Sequence, residues 1–161
     1  MGNADDQKLE DNRAIANRFV TAFDAADLAG IERLLADDFV WHVAVAADAE
    51  TEFRPFQSRE LQERRNPIPA LLQDKGSTLA FFGHLFKTGA EQGRPFRLRL
   101  TNVLAEGDQV AFEAEGELDV PDRNRTYRNL YFVLLRIRDG QIVLYKEYQD
   151  TLHIYDVFVA E

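Results

Sequence analysis

Cysteine is absent from the 161 residues, which excludes a disulfide framework, a thiol nucleophile and any Cys-ligated metal, and fits an intracellular, cytoplasmic protein. No stretch reaches the roughly 18 apolar residues that a membrane span requires, and Met1 to Asp11 holds no apolar core of the kind found in an export signal. Positive charge is the scarcer sign, with 19 Lys and Arg against 28 Asp and Glu, a net charge of −9. That balance opposes the counterion release that drives nucleic-acid binding and repels an anionic membrane surface, so neither partner is expected. Histidine occurs only as His42, His84 and His153, at spacings that match no metal motif. A Gly-x-Ser-x-Gly elbow, a Walker loop and a Gly-x-Gly-x-x-Gly turn are all missing, so neither a metal nor a nucleotide cofactor is expected.

What the chain does have is apolar mass. Residues of that class make up 45% of it, with twelve Phe, enough for one substantial core in one domain. Residues 1–10 read as a disordered tail and 11–161 as a single α+β domain. From Asp11, Ile15, Phe19 and Phe23 recur every four residues, the signature of an amphipathic helix. Asp27 can cap a second helix carrying Leu28, Ile31, Leu34 and Leu35 and ending at Asp37-Asp38, followed by a strand from Phe39 to Val45. Residues 46–76 lose all periodicity and contain Pro55, Pro67 and Pro69, which predicts a long loop with one short helix started at Ser58. Ser77 then caps a helix with Leu79, Phe82 and Phe86 on one face, widened by Phe81 and Leu85 and closed by Gly89 and Gly93.

The rest alternates as antiparallel β-structure. Ala105-Glu106-Gly107 and Arg138-Asp139-Gly140 each read as a three-residue hairpin loop ending in a left-handed Gly. Leu104 then opposes Asp108, setting Arg97 against Glu115 and Arg99 against Glu113 on one face. Ile137 opposes Gln141, which gathers Asn129, Tyr131, Val133 and Leu135 with Val143, Tyr145, Glu147 and Gln149. A two-residue Asp139-Gly140 turn would instead move Glu147 to the other face. That face carries Leu130, Phe132, Leu134, Ile142 and Leu144, an apolar patch that predicts a homodimer.

Several segments together look familiar: Phe19-Val20-Thr21-Ala22-Phe23-Asp24-Ala25-Ala26-Asp27-Leu28, Leu34 to His42, Leu79-Ala80-Phe81-Phe82, Arg138-Asp139-Gly140-Gln141-Ile142 and Lys146 to Thr151. In this order the chain resembles the nuclear transport factor 2-like superfamily, in its SnoaL-like polyketide cyclase and ketosteroid isomerase-like branch. The resemblance implies a conical barrel in which three helices of the N-terminal half pack on a curved, mostly antiparallel sheet around an apolar cavity. It also implies pairing through the outer sheet face. The scaffold serves isomerases, cyclases, hydrolases, dehydratases and plain binding modules, so function must come from the site.

By that resemblance the steroid isomerase positions fall at Phe19, Val43 and near Val133, all apolar, which argues against that activity. The Arg between two Asp of the epoxide hydrolases is also unmatched, since the register turns Arg97, Arg99, Arg128 and Arg136 outward. The remaining candidate is Glu147, a carboxyl on an apolar face where desolvation raises its pKa toward general acid–base use. Its Lys-Glu-aromatic segment resembles that of the acid/base Glu in phenazine-biosynthesis members. Tyr131 and Tyr145 are the expected catalytic partners, with Asn129, Gln149, Trp41, Phe19, Phe23, Phe82, Phe86, Phe112 and Val133 binding the substrate. The expectation is a cofactor-free isomerase, cyclase or dehydratase acting on a small hydrophobic molecule. Its rival is a non-catalytic ligand-binding or scaffold protein whose Glu147 is simply a hydrogen-bonded polar residue. Trp41 rather than His42 should face the cavity, His84 should sit near its rim, Asp150 should cap a final helix, and Arg64-Arg65 should be solvated loop charge.

Overall fold

A computed structural model of the protein describes residues 2–43 and 72–158. The first helix, α1, runs from Gly2 to Asp24 and buries the stripe Ile15, Ala16, Phe19, Val20 and Phe23. It starts well before Asp11: the polar residues expected to form a tail are helical instead. A Gln7 to Asp11 hydrogen bond of 2.9 Å and a Glu10–Arg13 ion pair brace its exposed side. Asp27 caps α2 (Leu28–Leu34) as expected, its Oδ1 accepting Gly30 N–H at 2.8 Å. The helix stops at Leu34, short of Asp37-Asp38, because Leu35 is already extended and paired with Ile142.

Strand β1 therefore spans Leu35–Val43, four residues earlier at its start than the alternation suggested. A short β2, Leu72–Asp74, pairs antiparallel with it and had no signal of its own in the sequence. The next helix, α3 (Lys75–Glu91), is capped by Asp74 and not by Ser77, whose backbone N–H donates to Asp74 Oδ1 at 2.7 Å. The proposed helix at Ser58 and the Arg64-Arg65 pair lie outside the described residues. Strands β3 (Arg97–Glu106), β4 (Gln109–Val120), β5 (Arg125–Arg138) and β6 (Gln141–Gln149) follow, and α4 (Thr151–Phe158) closes the described chain. Asp150 does cap α4, accepting His153 N–H at 3.0 Å. No helix among the described residues is long and apolar enough to cross a membrane.

The described strands form one six-stranded, curved sheet in the order β2-β1-β6-β5-β4-β3, antiparallel except where β1 meets β6. Helices α1, α2 and α3 cover its concave face, an α+β arrangement in which the aromatic stripes of α1 and α3 meet. Phe23 packs edge-on against Phe82 at 5.0 Å and Phe86 at 5.1 Å between ring centroids.

Both hairpin registers differ from the three-residue reading. Glu106 pairs with Gln109 across a two-residue Gly107-Asp108 turn, and Arg138 pairs with Gln141 across Asp139-Gly140, both at positive φ (52° and 77°). Each slip is then compensated by a bulge, at Thr101 in β3 and at Val143 in β6. Arg99 consequently meets Glu115, and Arg97 meets Glu117 rather than Glu115. The two-residue turn pairs Ile142 with Ile137, which puts it in the core, wholly buried, and removes it from the expected outer patch. The bulge at Val143 then returns Glu147 to the inner face, opposite Val133, in spite of that turn.

A buried carboxyl among aromatic donors

The inner face of the sheet opens between α1, α3 and α4 into a pocket of about 410 Å³, within the usual range for small-molecule sites. Phe23, Phe81, Phe82, Phe96 and Leu98 supply much of its apolar wall, with Ile154 and Phe158 from α4. The polar atoms on that wall come from Trp41, Tyr127, Tyr131, Tyr145, Glu147 and Gln149, with His84 at the helical side.

Alternation in three adjacent strands puts these groups together. Trp41 of β1 pairs with Tyr145 of β6, Val43 with Glu147, and Glu147 in turn with Val133 of β5. Glu147 is only 6% exposed, the sole buried acidic side chain among the described residues. Burial is the main cause that pushes its pKa from 4.5 up to about 8, while the nearby Trp41 and Tyr145 donors favour the charged form and partly oppose the rise. The Trp41 indole N–H is itself buried and completes no hydrogen bond of good geometry. Burial also holds Tyr145 and Tyr131 well above 10, with Glu147 contributing to both, and Tyr127 up to about 12.

At the other end of the pocket, Tyr127, Asn129 and Tyr131 project from the same face of β5. The tyrosines are four residues apart, about 13 Å along an ideal strand, yet their hydroxyls meet at 2.7 Å because the rings lean together over the short Asn129 side chain. Asn129 Nδ2 donates to the Tyr127 hydroxyl at 2.8 Å, and Asn129 Oδ1 accepts the Asp150 N–H at 3.0 Å. His153 of α4 stacks on the Tyr127 ring and accepts Arg128 N–H through Nε2 at 3.2 Å. Room for Tyr131 comes from Gly116, opposite Asn129 on β4. A Cβ there would stand 2.6 Å from Tyr131 Cε2 and 2.7 Å from Phe96 Cζ.

Of the residues expected to bind substrate, Trp41, Phe23, Phe82 and Gln149 line the pocket with Glu147, Tyr131 and Tyr145. Phe19, Phe112 and Val133 do not: they are almost wholly buried in the core, with Phe19 and Phe112 packed against the Tyr145 ring. Phe86 sits behind Phe23 and Phe82, and Asn129 stands behind Tyr127, to which its side chain donates. Tyr127 was the omission, although it shares its parity with Asn129 and Tyr131. Phe96, just before β3, Leu118, near the end of β4, and Ile154 and Phe158 of α4 were missed because nothing in their spacing shows that these chain ends close over the sheet.

His42 points away from the pocket and pairs with Lys146; burial, then that cation, lowers its pKa. Phe19, Val43 and Val133 are apolar core, and Arg97, Arg99 and Arg128 are outward in ion pairs with Asp24, Glu115 and Glu117. Arg136 is exposed as well. Among the described residues no three His, Asp or Glu side chains gather as metal ligands.

A model of the SnoaL-like domain matches residues 16–145 of the sequence. No match is found among curated proteins. Solved structures agree in fold over nearly the whole chain. Bal32a, from a soil-derived mobile gene cassette, is 18% identical with a TM-score of 0.69, covering 94% of this chain and 98% of its own. An LEH-like epoxide hydrolase of M. tuberculosis is 16% identical with a TM-score of 0.65, covering 94% and 92%. IdmH of Streptomyces antibioticus, proposed to be a polyketide cyclase, is 19% identical with a TM-score of 0.63, covering 92% and 99%.

Proposed function

The chain belongs to the SnoaL-like domain family, and from that footing we propose that it is a cofactor-free enzyme that moves a proton within a small hydrophobic substrate. The reading rests on one observation: a single carboxyl, Glu147, buried in an aromatic pocket and basic enough to hold its proton to about pH 8. A carboxylate made this basic by desolvation is better matched to a carbon acid than a solvated one. It would take a proton from the carbon beside a carbonyl while Tyr131 and the unpartnered Trp41 N–H hold the oxygen that gains charge. Tyr131 and Tyr145, with pKa values well above 10, act as donors and stay protonated.

The proton's destination separates the possible reactions. Returned to another carbon, it completes an isomerisation. Passed to an oxygen after the enolate attacks a second carbonyl of the same molecule, it completes a cyclisation. Passed to a leaving hydroxyl, it departs with water in a dehydration. Epoxide hydrolysis and steroid isomerisation by the residue sets of the superfamily have no support here: the arginines of the sheet face outward, and the isomerase positions carry apolar side chains.

The test is α-proton exchange in α-tetralone, followed in D2O by NMR. The wild-type protein should accelerate exchange over buffer, with a rate that climbs to a plateau above about pH 8, and Glu147→Gln should abolish the acceleration. Equal exchange by wild type and variant, or tetralone binding with no exchange at all, would overturn the reading in favour of a binding protein.

A further inference from the structure

The hydrogen bonds at the Tyr127 end of the pocket can be given a direction. Asn129 Oδ1 accepts the backbone N–H of Asp150, a group that can only donate, so the amide is fixed and Nδ2 must be the donor. Nδ2 reaches the Tyr127 hydroxyl at 2.8 Å and the Asp150 carbonyl at 3.2 Å, which makes the Tyr127 oxygen an acceptor. Tyr127 is 4% exposed, and its remaining hydrogen bond among the described residues is the 2.7 Å contact with Tyr131. Were Tyr131 the donor there, the Tyr127 proton would be buried without a partner, which is costly. The chain therefore runs from Asn129 to Tyr127 to Tyr131, and the Tyr131 proton is the one left over, on a residue that lines the pocket.

We infer that Tyr131 is a one-way donor to an acceptor oxygen of the bound molecule, and that the substrate is a neutral carbonyl compound. Tyr127 and Asn129 are positioning residues that set the direction, and donation from Tyr127 polarises the Tyr131 hydroxyl further. The β5–β6 ladder pairs Val133 with Glu147 and Tyr131 with Gln149, so Tyr131 and Glu147 are diagonal neighbours on one face, roughly 7–8 Å apart at their backbones. A carbonyl oxygen on Tyr131 thus leaves the adjacent carbon facing Glu147. An anionic ligand is disfavoured, because no Lys or Arg side chain lines the pocket among the described residues. This deepens the proton-transfer reading and rests on it, since it takes the pocket to be occupied by a small molecule.

The test compares α-tetralone labelled with ¹³C at its carbonyl against tetralin, the same skeleton without oxygen. Affinities come from NMR titration, and the labelled carbonyl stretch from isotope-edited infrared spectra. In the wild type the stretch should move to lower frequency on binding. Tyr131→Phe should remove most of that shift and reduce the tetralone-to-tetralin affinity ratio about tenfold. Asn129→Asp should do the same, because its second carboxylate oxygen accepts the Tyr127 proton and reverses the chain. Tyr127→Phe, which adds no charge, should leave a smaller shift and a ratio reduced about threefold. Glu147→Gln should keep both shift and ratio. Unchanged tetralin affinity in each variant shows that the pocket is intact. A wild-type ratio or an undiminished shift in Tyr131→Phe would overturn the inference while leaving the pocket standing. Failure of the wild type to bind either probe would overturn the occupied pocket itself, and the inference with it.

Discussion

Replacing Glu147 by Gln should change the protein's stability in a way that depends on pH and has a definite sign. In the unfolded chain the carboxyl ionises near its ordinary value of 4.5, whereas in the fold burial holds the proton to about 8. Between those values the folded state binds more protons than the unfolded state, so stability falls as pH rises. The contribution is fully present below about pH 4.5 and gone above about 8, changing the folding equilibrium about tenfold per pH unit between them. Over the whole window the loss amounts to about 5 kcal/mol, an upper figure because water entering the pocket would relieve part of it. Gln has nearly the same shape and never ionises. Urea unfolding of both proteins at pH 5 and pH 8 isolates the effect, since groups such as Asp38 and Asp74, whose pKa values are lowered by Arg138 and by the Ser77 N–H, are common to both and cancel. The variant should match or fall slightly below wild type at pH 5 and exceed it by about 2–4 kcal/mol at pH 8. A difference between the two proteins that stays constant across this range, within the error of linear extrapolation, would refute the desolvation argument.

Two further outcomes follow from the sheet. Gly116→Ala should cost about 1–3 kcal/mol, because a Cβ at 2.6 Å from Tyr131 and 2.7 Å from Phe96 must displace both rings; thermal melts showing no loss would contradict this. We propose that the outer face, where Leu130 and Phe132 remain 71% and 46% exposed beside the Arg99–Glu115 and Arg128–Glu117 pairs, seats a second copy of the chain. Sedimentation should then give a dimer at micromolar concentration and a monomer for Phe132→Glu, whereas a monomeric wild type would exclude it.

The helices and most strand faces were legible because periodicity is a local property: Ile15, Phe19 and Phe23, or Tyr145 and Glu147, keep their spacing whatever the turns do, whereas Ile142, between turn and bulge, was assigned to the wrong face. Turn type was not legible in the same way. Asp139-Gly140 suits either a two-residue turn or the end of a three-residue loop, and only the bulge at Val143 reconciles the two-residue turn with a buried Glu147. A bulge has no residue signature of its own at Val143 or Thr101, so the inward position of Glu147 was inferred correctly from a wrong register. The start of β1 was hidden for a related reason. Leu35 and Ala36 continue a helical stripe in sequence, and pairing to β6 overrides that propensity. Trp41, Glu147 and the aromatic wall could be assembled from alternation, but the Asn129–Tyr127–Tyr131 chain depends on side-chain lean along one strand, which spacing does not encode.

Trp41 is the only tryptophan in the chain, and it stands over the one buried carboxyl among the described residues. Light absorbed at the red edge of the protein spectrum therefore excites a single chromophore, already located where the chemistry is proposed. Its emission needs no label or engineered reporter. Ionisation of Glu147 places a negative charge beside the indole and ligand entry changes the dipoles around it, so brightness and wavelength of one band would register both events in real time, in the unmodified protein.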